Sequence, residues 1–214
     1  MRKLGLAAAM AVCASWAHAG FIDFESDSLG AKFNNFQSVD SSNLAFSDSE
    51  GQDLFLIPFI ETYDTNGLAV QFDGIEDVTG SYPDGSFLII EGASPILSLS
   101  MDFGNDDPAG TAAGDYAQLR GYRGSTLVAS TNVVMNRNDM ADQSISLSDA
   151  LGFDRLELEY VTTPTLYTDE FGEVYFITSL TEVVDNIQYE VVPEPASLAA
   201  LGLGLAALRR RNRK

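Results

Sequence analysis

The stretch Phe153-Asp154-Arg155-Leu156-Glu157-Leu158-Glu159-Tyr160-Val161 decides the fold class. Its apolar side chains recur at every second position near the centre, and charged side chains fill the positions between them. Because successive side chains of a β-strand point to opposite faces of a sheet, this alternation predicts a strand with one buried face. A half-buried strand of this kind is typical of an antiparallel sheet.

The same period of two extends outward from this stretch. Residues 96–103 alternate apolar side chains with serines and an aspartate, and residues 174–180 and 187–191 read similarly. Residues 54–60 and 87–90 are continuous apolar runs, which favours central strands. Pro58 moves the first of these runs towards a sheet edge or a bulge, because proline cannot donate to a ladder.

Turn signals rich in Gly, Asn and Asp separate these runs, and only residues 146–151 favour a short helical turn. Roughly ten to twelve short strands are expected, which points to an antiparallel β-sandwich. The predicted fold class is therefore all-β, with a jelly-roll-like arrangement.

The N-terminus reads as a secretion signal. Basic residues 1–3, apolar residues 4–12 and Ala17-His18-Ala19 are its three parts, and we expect cleavage between Ala19 and Gly20. Residues 1–19 are thus predicted to be a signal helix that is absent from the mature chain.

Cleavage would remove the only Cys, the only His and the only Trp of the sequence. The mature chain would then lack a Cys or His nucleophile–base pair and an ordinary His-ligated zinc site. A catalytic function is therefore not expected.

Residues 20–192 are predicted to form one acidic domain. They contain five basic and 30 acidic side chains, a formal charge of −25. Such a surface repels nucleic acid and anionic headgroups, so no nucleic-acid partner is expected. The charge suits an extracellular domain, either for solubility alone or to collect divalent cations.

Residues 193–214 form a tail with three parts. Pro193-Glu194-Pro195 comes first and the apolar run 196–208 follows. The third part is a basic cluster of Arg209, Arg210, Arg211, Arg213 and Lys214. As a short hydrophobic helix the run would be about 20 Å long, against about 30 Å for the hydrocarbon core of a bilayer. The basic cluster would stay on the cytoplasmic side and leave the domain outside.

These three parts in this order resemble the PEP-CTERM sorting signal of Gram-negative bacteria. The resemblance implies that the tail holds the exported protein in the inner membrane until an exosortase processes it. The protein would then reach the cell surface or the extracellular matrix. Because such proteins are associated with exopolysaccharide and biofilm, we expect a non-enzymatic structural or adhesive role in that matrix.

A second resemblance concerns the two ends of the domain. Residues 20–25 and 184–187 are similar to segments of jelly-roll carbohydrate-binding modules. In those modules an early Phe-Glu and a late Asp-Asp/Asn lie on neighbouring strands and hold a structural calcium ion. The resemblance implies Glu25 and Asp185 as calcium ligands, with Asp23 behind them. The alternative is that these are ordinary outward-facing acids on edge strands.

A polysaccharide-binding module is the alternative function. Arg120 and Arg123 flank Tyr122, and this group could contact a polyanionic sugar, although the pattern is equally typical of the solvent face of a strand. Other possible stacking platforms are Tyr63, Tyr82 and Tyr167.

Two weaker alternatives complete the set. The segment 104–115 carries Asn105, Asp106, Asp107 and Asp115, and predicts either a solvated loop or a second cation site. A carboxylate-dependent glycoside hydrolase is the third functional reading, because 30 acids allow a suitable pair without singling one out.

Overall fold

The computed structural model describes residues 18–59, 65–70, 75–77, 86–104, 111–138, 140–163, 165–168, 171–172, 174–177 and 182–192. Within these ranges the chain forms thirteen β-strands that pair antiparallel, and it contains no helix. The all-β, antiparallel prediction is therefore confirmed. The predicted signal helix and the predicted tail helix lie outside the described residues. In the described ranges, no helix is long and apolar enough to span a bilayer.

The strands have the following bounds. The first seven are β1 (His18–Ile22), β2 (Gly30–Lys32), β3 (Leu44–Asp48), β4 (Leu54–Phe59), β5 (Thr65–Ala69), β6 (Ile75–Asp77) and β7 (Leu88–Gly104). The remaining six are β8 (Tyr116–Arg123), β9 (Thr126–Val134), β10 (Gln143–Val161), β11 (Thr165–Thr168), β12 (Val174–Ile177) and β13 (Val183–Val191).

Ten of these strands form one continuous sheet. Its order is β2-β4-β5-β13-β7-β10-β8-β9, with β1 also paired to β13 and β3 also paired to β7. Strands β11, β12 and β6 form a separate small sheet. The last strand of the domain, β13, therefore lies inside the large sheet and not at its edge.

The two longest strands, β7 and β10, bend the large sheet into two layers. Their ladder is interrupted by register shifts between Ser148 and Phe153. Gly152 lies at this point with a φ of +77°, a conformation that other residues rarely adopt, and its α-carbon packs against Pro95. We call residues 92–95 and 149–152 the corner.

The layers on the two sides of the corner contain different strands. The first layer contains β3, the first half of β7, the second half of β10, β8 and β9. The second layer contains β2, β4, β5, β13, β1, the second half of β7 and the first half of β10.

Both layers contribute to one hydrophobic core. Phe24, which follows β1, packs edge-on against Phe46 of β3 with ring centroids 5.8 Å apart. Phe103 of β7 packs in the same way against Tyr160 of β10, at 5.9 Å. These contacts join the inner faces of the layers, because each ring pair has one member in or next to each layer.

The alternating stretches behave as predicted. Leu156, Leu158 and Tyr160 are buried, and residues 96–103 lie in β7. Pro58 lies in β4 beyond the three residues that pair with β2, so within the described ladders it has a strand on one side only. The prediction of an edge position for this proline is therefore confirmed.

The predicted helical turn at residues 146–151 is wrong. These residues lie in β10 and lead into the corner. The feature that resembled a turn is local: the Asp149 carboxylate accepts a hydrogen bond from the Leu151 backbone N–H at 2.8 Å. Such a side-chain-to-backbone bond bends a strand as readily as it begins a helix.

Candidate functional site

The two ends of the domain lie side by side. In the antiparallel pair of β1 and β13, His18 lies opposite Val191 and Ile22 lies opposite Ile187. Val192, which follows β13, is bonded to the domain through its backbone N–H, which donates to the Pro95 carbonyl at 2.8 Å. The predicted sorting residues therefore follow directly on the folded domain. Pro193, Glu194, Pro195 and the basic cluster themselves lie outside the described residues.

The predicted cleavage site lies within β1. Ala19 is opposite Glu190, and Gly20 is opposite Tyr189. A Cβ atom on residue 20 would overlap the Tyr189 ring, so only glycine fits at this position. The strand begins two residues before the predicted start of the mature chain, and cleavage would shorten it to Gly20–Ile22.

The predicted calcium ligands lie around the other end of the same strand pair. Asp185 is buried, and Asp23 and Glu25 lie near enough for their charges to act on it. Burial, together with the two neighbouring carboxylates, raises the pKa of the Asp185 carboxyl to about 6, against hydrogen bonds that lower it. The backbone N–H of Asn186 donates one of those bonds at 2.7 Å.

The three carboxylates supply hard oxygen donors at one place, which is the donor type that calcium prefers. They are also engaged by the protein itself. Glu25 accepts the Asn66 backbone N–H at 2.6 Å, and Asp23 accepts the Glu25 backbone N–H at 3.1 Å. In the described part of the chain, no group of three or more acidic, His or Cys residues is arranged as a metal site. A bound ion would have to draw these carboxylates closer together.

Another buried carboxyl was not predicted from the sequence. Glu182 is 1% exposed, and its Oε1 accepts the Tyr160 backbone N–H at 3.1 Å. Burial raises the pKa of Glu182 to about 8, and the nearby charges of Glu159 and Asp48 act in the same direction. The side chain is therefore a neutral acid at neutral pH. No sequence signal identified it, because its burial depends on a contact with the Tyr160 backbone, 22 residues earlier in the chain.

Asp48 is a second buried acid of the core. Its Oδ1 accepts backbone N–H groups from Glu50 and Gln52, at 2.7 and 3.2 Å. Its Oδ2 is buried, and no hydrogen-bond partner for it occurs among the residues that the structure describes. The position belongs to the inward face of β3, where Leu44 and Phe46 precede it.

The predicted sugar-binding residues lie on the outer face of the first layer. Arg120 forms ion pairs with Glu157 and Glu159, at 3.3 and 2.6 Å. The Arg155 guanidinium lies 4.7 Å from the centroid of the Tyr122 ring and also pairs with Glu157. Burial and a hydrogen bond to Glu157 raise the pKa of the Tyr122 hydroxyl.

The structure thus brings Tyr122 and Arg120 into one network but directs Arg123 elsewhere. The Arg123 guanidinium binds Asp149 of the corner at 3.0 Å. A sugar stacked on Tyr122 would have to use the ring face that Arg155 leaves open or displace that arginine. Of the other predicted platforms, Tyr63 and Tyr82 lie outside the described residues, and Tyr167 lies in β11.

The predicted loop site at residues 104–115 is described only in part. Asn105, Asp106 and Asp107 lie outside the described residues. Asp115 is buried, and its carboxylate accepts bonds from the Thr163 backbone N–H and hydroxyl and from the Ala112 backbone N–H. These contacts give Asp115 a structural role.

A groove of about 920 Å³ crosses the second layer and was not predicted. Serine and threonine side chains line it together with Gln188, Glu190 and the exposed ring of Phe21. Ala19, Gly20, Leu99, Leu147 and Tyr189 form the rest of the lining. The lining hydroxyls belong to Ser98, Ser100, Ser146, Ser148 and Thr131. The four serines lie on neighbouring strands, Ser98 opposite Ser148 and Ser100 opposite Ser146. Ser98 and Ser100 are the polar half of an alternation that predicted a strand, whereas Ser146 and Ser148 lie in the segment that was predicted to be a helical turn. The sequence therefore carried a signal for only half of this surface.

Comparisons with known proteins bear on the tail and on the fold separately. A family model of the PEP-CTERM protein-sorting motif matches residues 191–214. No curated protein matches the chain.

Among solved structures, the K1 cleaved adhesin domain of Lys-gingipain from Porphyromonas gingivalis W83 is similar at 8% identity and a TM-score of 0.44. That match covers 80% of this chain and 97% of the other. The K2 adhesin domain of Lys-gingipain is similar at 10% identity and a TM-score of 0.42, over 80% and 99% of the two chains. An arabinose-bound α-L-arabinofuranosidase is similar at 9% identity and a TM-score of 0.44, over 83% of this chain and 27% of the other.

The family match begins at Val191, the last residue of β13, and it includes all of the predicted tail. Residues 191–214 of this protein are a PEP-CTERM protein-sorting motif.

Proposed function

We propose that the protein is an exosortase substrate of a Gram-negative bacterium, with a structural or adhesive role in an exopolysaccharide or biofilm matrix. The sorting motif at residues 191–214 carries this proposal, because it belongs to exported proteins that are held by their C-terminus and then displayed. The jelly-roll-like, acidic sandwich suits an extracellular location, since its formal charge of −25 keeps copies dispersed.

Replacing Pro193, Glu194 and Pro195 by alanine tests the sorting step. In a host with an exosortase, the full chain should leave the inner membrane, whereas the variant should stay there at its unprocessed mass. Glu190→Ala is the matched control, because it removes an exposed glutamate just upstream of the motif. Equal release of the triple variant and the wild type would contradict the proposal.

The proposed role is non-enzymatic. After cleavage at Gly20, the chain contains no His and no Cys. Glycoside hydrolysis needs a pair of carboxyl groups across a cleft, and Glu190 is the single acid among the described residues that line the groove. The structural role therefore has better support than the hydrolase.

We propose that Asp23, Glu25 and Asp185 bind a structural calcium ion. The ion would neutralise three carboxylates that otherwise repel one another near a buried position. It would also tie β1 to β13 at the end where Ile22 lies opposite Ile187. Thermal unfolding with calcium and with a chelator tests this, and an unchanged midpoint would contradict it.

Polysaccharide binding is the second candidate function, and the groove is the observation that favours it. A sheet face rich in hydroxyl groups can exchange hydrogen bonds with sugar hydroxyls, and the exposed ring of Phe21 can stack on a sugar. Filling the groove by Ser146→Trp should abolish binding in an exopolysaccharide pull-down. Ser130→Trp, at an exposed position of β9, is the control. If Tyr122→Ala abolishes binding and Ser146→Trp does not, the site lies on the first layer instead.

A further inference from the structure

The last residues described before the tail lie at the corner. Val191 pairs with Ile96, and Val192 donates its backbone N–H to the Pro95 carbonyl. Gly152 packs against Pro95, so close that a Cβ atom there would lie 2.8 Å from the proline Cβ. The two segments of the corner, residues 92–95 and 149–152, therefore surround the point where the sorting motif begins.

The outermost part of the corner is apolar and uncharged. Leu151 is 71% exposed, and Ala93, Pro95 and Ala150 are also exposed. We call these residues, together with Ser94, the corner tip. The tip contains no charged residue, although the domain has 30 acidic side chains. Two acids flank the tip along the chain: Asp149 is paired with Arg123 at 3.0 Å, and Glu91 is exposed.

The connection between the domain and the apolar run of the tail is short. Only Pro193, Glu194 and Pro195 separate Val192 from the apolar run that begins at Ala196. A fully extended chain advances at most about 3.6 Å per residue, so Val192 lies within about 14 Å of Ala196. The headgroup region on one side of a bilayer is roughly 5–7 Å thick. With the apolar run inserted in the bilayer, Val192 lies within about 14 Å of the first inserted residue. The corner tip, whose Pro95 is bonded to Val192, is therefore close to the headgroup layer.

We propose that the corner tip rests on the lipid headgroup layer of the membrane that holds the unprocessed tail. This rests on the proposed function, because it requires the tail to enter the bilayer. The contact would support an anchor whose helix, at about 20 Å, is shorter than the hydrocarbon core of about 30 Å. It would also hold Pro193, Glu194 and Pro195 beneath the domain, at the depth where a membrane-embedded enzyme can reach them.

Single-tryptophan variants of the full chain test this contact. In a Trp16→Phe background the chain has no other tryptophan, so each variant reports one position. Leu151→Trp reports on the corner tip, and Leu201→Trp reports on the tail. Leu166→Trp is the control, because Leu166 is 63% exposed and lies in β11, beyond the far end of β10 from the corner.

The proteins are reconstituted in phosphatidylcholine vesicles that contain phosphatidylcholine brominated near the glycerol end of its acyl chains. We expect blue-shifted emission and loss of intensity for Leu151→Trp and Leu201→Trp, and no change for Leu166→Trp. Quenching of Leu201→Trp without quenching of Leu151→Trp would overturn the inference and leave the proposed function standing. Quenching of neither would overturn both.

A second measurement does not depend on fluorescence. Leu151→Asp should reduce the fraction of full chain that floats with phosphatidylcholine vesicles. Contact with the headgroup layer would take the new carboxylate out of water, which is costly for a charged group. Leu166→Asp adds the same charge at a distant exposed site and should float like the wild type. Equal flotation of the two variants would overturn the inference.

Discussion

Replacing Glu182 by glutamine should make the domain more stable at alkaline pH and change little at acidic pH. The carboxyl is 1% exposed, and its pKa is about 8 in the folded protein against an ordinary value of 4.5. Glutamine is neutral at every pH and keeps the oxygen that accepts the Tyr160 backbone N–H. The substitution therefore removes one titration and preserves the contact.

The sign follows from proton binding in the two states. Between pH 4.5 and about 8 the unfolded chain has released the proton of Glu182 and the folded chain has kept it. Stability therefore falls as the pH rises through this window, by at most about 1.4 kcal/mol per pH unit. Between about pH 5 and pH 8 the wild type should lose on the order of 3 kcal/mol that Glu182→Gln retains.

Urea denaturation of residues 20–192, followed by far-ultraviolet circular dichroism at several pH values, measures this difference. The core residues all lie within this range, from Ile22 to Val191. Glu190→Gln is the control for loss of one charge, because Glu190 is an exposed residue of β13. A difference between Glu182→Gln and the wild type that stays constant with pH would refute the reasoning, as would destabilisation of the variant at pH 8.

Three further outcomes are expected. Asp185→Asn should abolish any calcium-dependent rise in the unfolding temperature. Without calcium at pH 7 it should stabilise the domain by about 2 kcal/mol, because the raised pKa of Asp185 costs stability above pH 3.8; a variant that keeps the calcium response would exclude this ligand. Gly121→Ala should destabilise by about 2 kcal/mol in urea, because its Cβ would overlap the buried ring of Phe153. Gly124→Ala has nothing within 4 Å of its Cβ, but its φ of +56° is unfavourable for alanine, so it should cost only about 1 kcal/mol. Equal losses for the two variants would contradict the packing argument. Tyr160→Phe removes a hydroxyl that donates to a carbonyl of β7 at 2.5 Å, and should lower stability by about 1 kcal/mol; an unchanged unfolding midpoint would count against that bond.

The strands were predictable because alternation reports directly on burial. In residues 153–161 the period of two identifies Leu156, Leu158 and Tyr160 as inward-facing, and all three are buried. The edge position of Pro58 was also predictable, because proline has no N–H to donate to a neighbouring strand.

The corner was not predictable from the same pattern. Residues 146–151 combine serines with Asp149 and Leu151, and a bend within a long strand has no period of its own. Which residues fill the bend depends on Pro95, which lies more than fifty positions earlier in the chain and contacts Gly152. A contact of this kind has no local sequence signal.

The candidate sites were predictable to different extents. The sorting motif is a local pattern, and the family match confirms it. Tyr122 and Arg120 do share one face, yet the contacts that they make with residues of β10 depend on strand order. The buried state of Glu182 depends on the Tyr160 backbone, which is also a long-range contact.

The position of β13 has a mechanical consequence. The tail continues from this strand, so a load on an anchored molecule enters the domain at Val191. Along its length β13 is bonded to β7 on one side, and on the other side first to β5 and then to β1. A pull along the strand axis would load these ladders in shear. Many hydrogen bonds would then carry the force at the same time, instead of breaking one after another. The strand that receives the force is thus the one that the sheet holds from both sides.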